Sequence, residues 1–222
     1  MMIDYATKRR HMVESQLRPN GVTDLRINKA MLEIPRERFV AASRQAFAYI
    51  DEDVPASEGA NPRFVMEPMV FARLIQLAEI SGDDIVLDVG CGLGYSTAVL
   101  SHLAQSVVAL EDNAELVAEA SARLAEVGVS NAAVVEGPLN AGYPSEAPYD
   151  VIVINGCVGE VPEALLGQLK DGGRLVAVVD NGPVGKATVY VRQDGAISSR
   201  VAFDATVAPL PGFEKKRPAF VF

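Results

Sequence analysis

The rhythm of apolar and polar positions changes along this chain. Residues 4–18 and 24–34 read as helices, the second with Thr23 or Asp24 as its cap and Pro35 at its end. Asp51 to Arg63, DEDVPASEGANPR, is acidic and rich in breakers, so it reads as a linker. Pro68 to Glu79 reads as a helix with proline in its first turn. Short apolar runs then alternate with helical segments: strand 85–89, helix 95–104, strand 106–111, helix 113–127, strand 131–136, strand 150–155, helix 162–170 and strand 173–180. Unbroken runs such as Ile85-Val86-Leu87 suit strands buried on both faces of a parallel sheet. Near the end, Thr188 to Val191 and Ile197 to Phe203 flank Asp194-Gly195, a hairpin signal. The pattern predicts an α/β fold: a doubly wound, mainly parallel seven-stranded sheet with an N-terminal helical cap and a C-terminal antiparallel hairpin.

Composition fits one domain. The chain has 222 residues, 49% of them hydrophobic, enough for a sizeable core. We expect residues 1–63 to form the cap and linker and residues 64–222 the core. No apolar stretch follows the basic residues of MMIDYATKRRHMVES, so no secretory signal is read there. No apolar run approaches membrane-spanning length. A cytoplasmic monomer without a membrane partner is expected. The net charge of −9 argues against nucleic acid as a partner. Cys91 and Cys157, with His11 and His102, lack metal-ligand spacing, so no metal is expected.

The candidate chemistry lies at IVLDVGCGLGYS, Ile85 to Ser96, where an apolar strand passes Asp88 into Gly90, Gly92 and Gly94 before a helix opens. Such glycines let the chain turn sharply and bring backbone N–H groups to a ligand. The spacing is not that of a dinucleotide fold, because Tyr95 or Thr97 stands where its third small residue belongs. The lysine of a P-loop is also missing. Glu111 ends the next buried strand, SVVAL, at the distance where an acid can accept hydrogen bonds from two ribose hydroxyls.

An acid two residues before G-x-G-x-G resembles the first motif of class I S-adenosylmethionine-dependent methyltransferases. The resemblance places Asp88 near the cofactor's amino-acid end and the glycines under its sugar. A wider resemblance, from about residue 12 to about 210, is to protein-L-isoaspartate O-methyltransferases. It rests on MVESQL, GVTD, IPRERFV, AYID, the glycine turn, GYPSEAPYDVIVI, VPEALLGQLKDGGRLV and VAPL, in that order. It implies methyl transfer to the free carboxylate of isoaspartyl residues in damaged proteins or peptides, with S-adenosylhomocysteine as product. The expected cofactor site comprises Asp88, Gly90, Cys91, Gly92, Gly94, Tyr95, Ser96, Glu111, Asp112, Pro138, Leu139 and Asn155.

Two positions depart from the family pattern. Before the first core helix the family carries G-Q-T-I-S-x-P, its hydroxyl beside the transferring methyl. This chain has PRFVMEP, which puts Met66 at the serine position, with Arg63, Phe64 and Val65 on the expected substrate side. After strand 131–136 the family has Gly-Asp-Gly, its acid at the adenine, where this chain has Gly137-Pro138-Leu139. The reaction needs no strong base, since a carboxylate is already ionised near neutral pH. No acid or base residue is therefore assigned beside Met66. Three readings follow: a weak or altered isoaspartyl methyltransferase, a methyltransferase for another acceptor, or a non-catalytic cofactor-binding protein.

Overall fold

A computed structural model describes residues 3–57 and 61–214. Residues 58–60 of the expected linker and residues 215–222 of the expected core lie outside the described residues. The cap begins with α1 (Tyr5–Met12), whose first turn is closed by the Asp4 carboxylate accepting from Thr7 N–H. It continues through a π-turn at Val13–Leu17 and a 3-10 turn at Arg18–Asn20. Asp24 caps α2 (Leu25–Glu33) by accepting from Arg26 N–H at 2.8 Å. The linker forms a two-residue ribbon, β1 (Val54–Pro55) against β2 (Phe64–Val65), so it is less irregular than its composition suggests.

The core then alternates as β3 (Ile85–Val89), α4 (Tyr95–Ser101), β4 (Ser106–Glu111), α5 (Ala114–Glu126), β5 (Ala132–Glu136), β6 (Tyr149–Val158), α6 (Glu163–Leu166) and β7 (Leu169–Val179), with α3 (Pro68–Leu77) leading in. The hairpin is β8 (Gly185–Gln193) and β9 (Ala196–Ala205). The seven core strands run in the order β5-β4-β3-β6-β7-β8-β9. The pairs up to β6–β7 are parallel, and β7–β8 and β8–β9 are antiparallel. The helix expected over 162–170 is shorter. Gly167 N–H closes it on Glu163 O at 2.8 Å, and Leu169 already pairs with Tyr149 in the sheet.

Strand periodicity sorts the core onto two faces. Val86 of β3 with Val176 and Val178 of β7 joins the cluster that contains Met12, Leu17, Ile27, Met31 and Phe39 of the cap. Leu87 and Val89 with Leu175 and Ala177 join the opposite cluster, with Leu139, Leu210 and Phe213. Cap and sheet thus share one apolar interior. β4 lies on one side of β3 and β6 on the other, which makes the carboxyl ends of these strands a topological switch point. Ligands of open α/β sheets bind in the crevice there.

Candidate cofactor and acceptor site

The turn after β3 is built by backbone that side chains rarely adopt. Gly90 has φ 75° and Gly94, which opens α4, has φ 93°. A Cβ on Gly90 would also lie 2.8 Å from Leu210 Cδ1, so the segment after β9 packs directly on the turn. That segment is stitched to β6: Cys157 N–H donates to Ala208 O at 2.8 Å, and Leu210 N–H donates to Cys157 O at 2.9 Å. Cys91 is buried, Cys157 is half-buried, and neither forms a disulfide.

Asp88 is fully buried under the turn. Its carboxylate accepts from Ser96 Oγ at 2.7 Å, Thr97 Oγ1 at 2.6 Å and Asn155 Nδ2 at 2.5 Å. Burial pushes this carboxyl up, and the three donors oppose the shift. Asp88, Ser96 and Asn155 therefore come together, but the carboxylate ties α4 and β6 to β3 instead of facing outward. Tyr95 points the other way, between Phe39 of the cap and Phe71 of α3, with ring centroids 5.9 Å away in each case.

Glu111 ends β4 and is also fully buried. It accepts from Gly92 N–H and Asp112 N–H, each at 3.0 Å. Its remaining partner was not foreseen. Arg63, expected toward the substrate, turns inward, and its Nε lies 3.1 Å from both carboxylate oxygens, with Nη2 2.9 Å from Oε1. Arg63 Nη2 also donates to Asp112 Oδ1. Burial pushes Glu111 up, opposed chiefly by the charge and hydrogen bonds of Arg63.

Met66 sits beside this pair, 5% exposed, in a small cleft shared with Asp53, Arg63, Phe64, Asn155 and Leu210. The backbone at Met66 is pinned from two sides. Arg36, wholly buried within the cap, donates from Nη2 to Met66 O at 2.8 Å and from Nε to Ala48 O at 2.6 Å. Its guanidinium carbon lies 4.9 Å from the Tyr95 ring centroid. Asp53 accepts from Glu67 N–H at 2.7 Å and from Ala208 N–H at 2.5 Å, so it joins the linker, the Met66 segment and the segment after β9. Sequence reasoning missed Arg36, Asp53 and Leu210 as site-building residues. Arg36 and Leu210 lay within the matched IPRERFV and VAPL segments, but nothing in the acidic linker singled out Asp53.

At the expected adenine end, Pro138 is exposed and Leu139 is 2% exposed, committed to the apolar cluster with Leu210 and Phe213. Leu139 therefore offers little surface to a ligand in this conformation. His11 and His102 lie outside the site. His102 Nδ1 instead approaches Glu33 Oε2 at 3.5 Å. Among the described residues no group of three or more histidines, cysteines or acids could hold a metal ion. No helix among them is long and apolar enough to cross a membrane.

Comparison with known proteins decides the family. The model of the protein-L-isoaspartate(D-aspartate) O-methyltransferase family matches residues 7–214. The chain belongs to that family. A protein-L-isoaspartate O-methyltransferase of Koribacter versatilis is 36% identical over 97% of this chain and 96% of its own length. A solved protein-L-isoaspartate O-methyltransferase is 27% identical with a TM-score of 0.80, over 92% of this chain and 66% of its own. A Plasmodium falciparum structure holding S-adenosyl-L-homocysteine shares the fold, at 20% identity and a TM-score of 0.76, over 91% of this chain and 97% of its own.

Membership makes this chain an S-adenosylmethionine-dependent methyltransferase of the protein-L-isoaspartate O-methyltransferase type. Its residues fit that cofactor in kind. The glycine turn sits at the switch point with left-handed glycines, and a buried carboxylate ends the neighbouring strand. Gly90, Gly92 and Gly94 with Glu111 would hold the nucleoside.

Proposed function

We propose that this methyltransferase acts only weakly on isoaspartyl carboxylates and that its preferred acceptor is less polar, presented by a protein or peptide. Bound S-adenosylmethionine supplies a methyl group activated on a sulfonium. The chain's own task is then to hold an acceptor in line with that methyl, which is worth up to ~7–11 kcal/mol of the barrier. Arg36 and Asp53 fix the backbone on either side of Met66, and Phe64 and Leu210 line the same cleft.

One observation carries the proposal. The position that bears a hydroxyl in the family holds a buried thioether, and the cleft's one cation among its described lining residues, Arg63, is already committed to acidic side chains of its own chain, with Asp112 at the rim keeping it even where Glu111 is released. An acceptor carboxylate would meet a weak sulfur acceptor and the Asp53 carboxylate instead of a donor. Losing a hydrogen bond to a charged group costs roughly 1.5–3 kcal/mol, or about 10- to 150-fold in rate. The test is methyl transfer from labelled S-adenosylmethionine to an isoaspartyl peptide, beside its aspartyl twin and a panel of neutral acceptors. Rapid, selective labelling of the isoaspartyl peptide by the natural chain would overturn the proposal.

A further inference from the structure

We propose that Arg63 sets the cofactor affinity of this chain by competing, from within, for the carboxylate that receives the ribose. The proposal rests on the reading that the ribose seats on Glu111. A carboxylate offers about four lone-pair sites. Here Oε1 faces Asp112 N at 3.0 Å, Arg63 Nε at 3.1 Å and Arg63 Nη2 at 2.9 Å. Oε2 faces Gly92 N at 3.0 Å and Arg63 Nε at 3.1 Å. The two backbone donors belong to the turn and to the strand end and stay with them. Two ribose hydroxyls can be accepted only if the guanidinium leaves.

Steric position says the same. Arg63 Cβ lies 3.3 Å from where a Cβ on Gly92 would stand, so the side chain runs across the face of the glycine turn. Its backbone is held in place: Arg63 N–H donates to Ser57 Oγ at 2.9 Å, and Arg63 O accepts from Ala56 N–H at 2.7 Å. Only the side chain need move. It also has somewhere to go. Asp112, already paired with Arg63 Nη2, is 42% exposed, whereas Glu111 is wholly buried. Swinging outward, the guanidinium keeps a carboxylate partner at the rim while it vacates Glu111.

The consequence follows from population arithmetic. If only a fraction of molecules has Arg63 clear of Glu111, the apparent dissociation constant rises by the inverse of that fraction. A clear fraction of about 1% weakens binding about a hundredfold. Arg63 is thus a determinant of cofactor affinity with no contact to the reacting atoms.

The experiment is calorimetric titration of the purified full chain with S-adenosylhomocysteine, in the natural form, in Arg63→Met and in Arg63→Met/Glu111→Ala. Arg63→Met should bind at least tenfold more tightly than the natural chain, and the double variant should lose that gain. Unchanged or weaker binding in a folded Arg63→Met protein overturns the proposal. Equal affinity of Arg63→Met and the double variant overturns the assignment of the ribose to Glu111 itself, a separate failure. Arg63→Met leaves a buried carboxylate unpaired and can unfold the chain, so a second measurement uses the natural protein. The Arg63 Nε–H resonance, identified by its loss in Arg63→Lys, should exchange slowly with water in the free protein and rapidly at saturating S-adenosylhomocysteine. Slow exchange in both states overturns the proposal.

Discussion

Replacing Met66 by serine tests the acceptor side most directly, and the structure sets both its gain and its cost. Arg36 holds Met66 O and Asp53 holds the next N–H, so a serine hydroxyl would arrive on fixed backbone. If it reaches an acceptor carboxylate, the gain is roughly 1.5–3 kcal/mol in the transition state, or about 10- to 150-fold in kcat/KM. The cost comes from burial. Met66 is 5% exposed, and truncating a buried methionine to alanine size costs about 2–5 kcal/mol. Because Met66 borders the cleft, water can enter part of the space, and we expect the lower end, about 2–3 kcal/mol. That is a large share of a typical stability of about 5–15 kcal/mol, so urea unfolding must accompany every rate. The assay is steady-state methylation of an isoaspartyl peptide below the unfolding range. We expect the rate to rise at least tenfold while the unfolding midpoint falls. A folded Met66→Ser protein whose isoaspartyl rate equals that of the natural chain would refute the placement of the acceptor at Met66.

Three further outcomes are expected. Asp53→Ala should cost about 2–4 kcal/mol in urea unfolding, since it leaves two backbone donors, Glu67 N–H and Ala208 N–H, without their acceptor; a midpoint unchanged from the natural chain would show that Asp53 is no staple. Arg36→Met should also destabilise the chain, by about 2–3 kcal/mol, through the freed carbonyls of Ala48 and Met66, and circular-dichroism melts would expose an error if the variant proved as stable as the parent. Glu67 is pushed up to about 7 from its usual 4.5, first by burial and then by Asp51, Asp53 and Glu52. The folded state therefore holds this proton more tightly than the unfolded state, and stability falls as pH rises from about 4.5 to 7. Glu67→Gln should then gain in melting temperature relative to the natural chain at pH 8 and show a smaller gain, or none, at pH 5; a constant difference across that span would sink the assignment.

The sheet was legible because its strands are short, continuous apolar runs bounded by breakers, and a run such as Ile85–Val89 has few other places to go. Element ends were less so. Leu169, a lone apolar residue between Gln168 and Lys170, suits a helix or a strand equally, and its pairing with Tyr149, distant in sequence, decided for the strand. Glu111 stood out because its spacing from the glycine turn is local information. Its partner did not, because Arg63 is separated from it by 48 residues, and nothing along the chain reports which way an arginine turns. Asp53 escaped for the same reason: its acceptor role depends on N–H groups at 67 and 208, brought together only by the folded cap and the segment after β9.

The three buried or half-buried carboxylates around the turn differ in what holds them, and the difference decides which can respond to a ligand. Asp88 is held by Ser96 and Thr97 at the start of α4 and by Asn155 on β6, short side chains on regular elements. Releasing it would leave three side-chain donors without their acceptor. Asp53 is held by two backbone N–H groups, which cannot turn away without moving their segments. Glu111 also has two backbone donors, yet its charge is met by a long side chain that already touches a second carboxylate at the surface. An arginine reorients by rotating about its own bonds, within about ns when exposed, though a buried ion pair resists until something replaces it. Of the three, then, the Glu111 pair is the one whose charged partner, also hydrogen-bonded to Asn61 O at 3.3 Å, keeps a second carboxylate when it opens. Asp88 and Asp53 shape the site, and Glu111 is the point at which binding must contend with the chain's own interior.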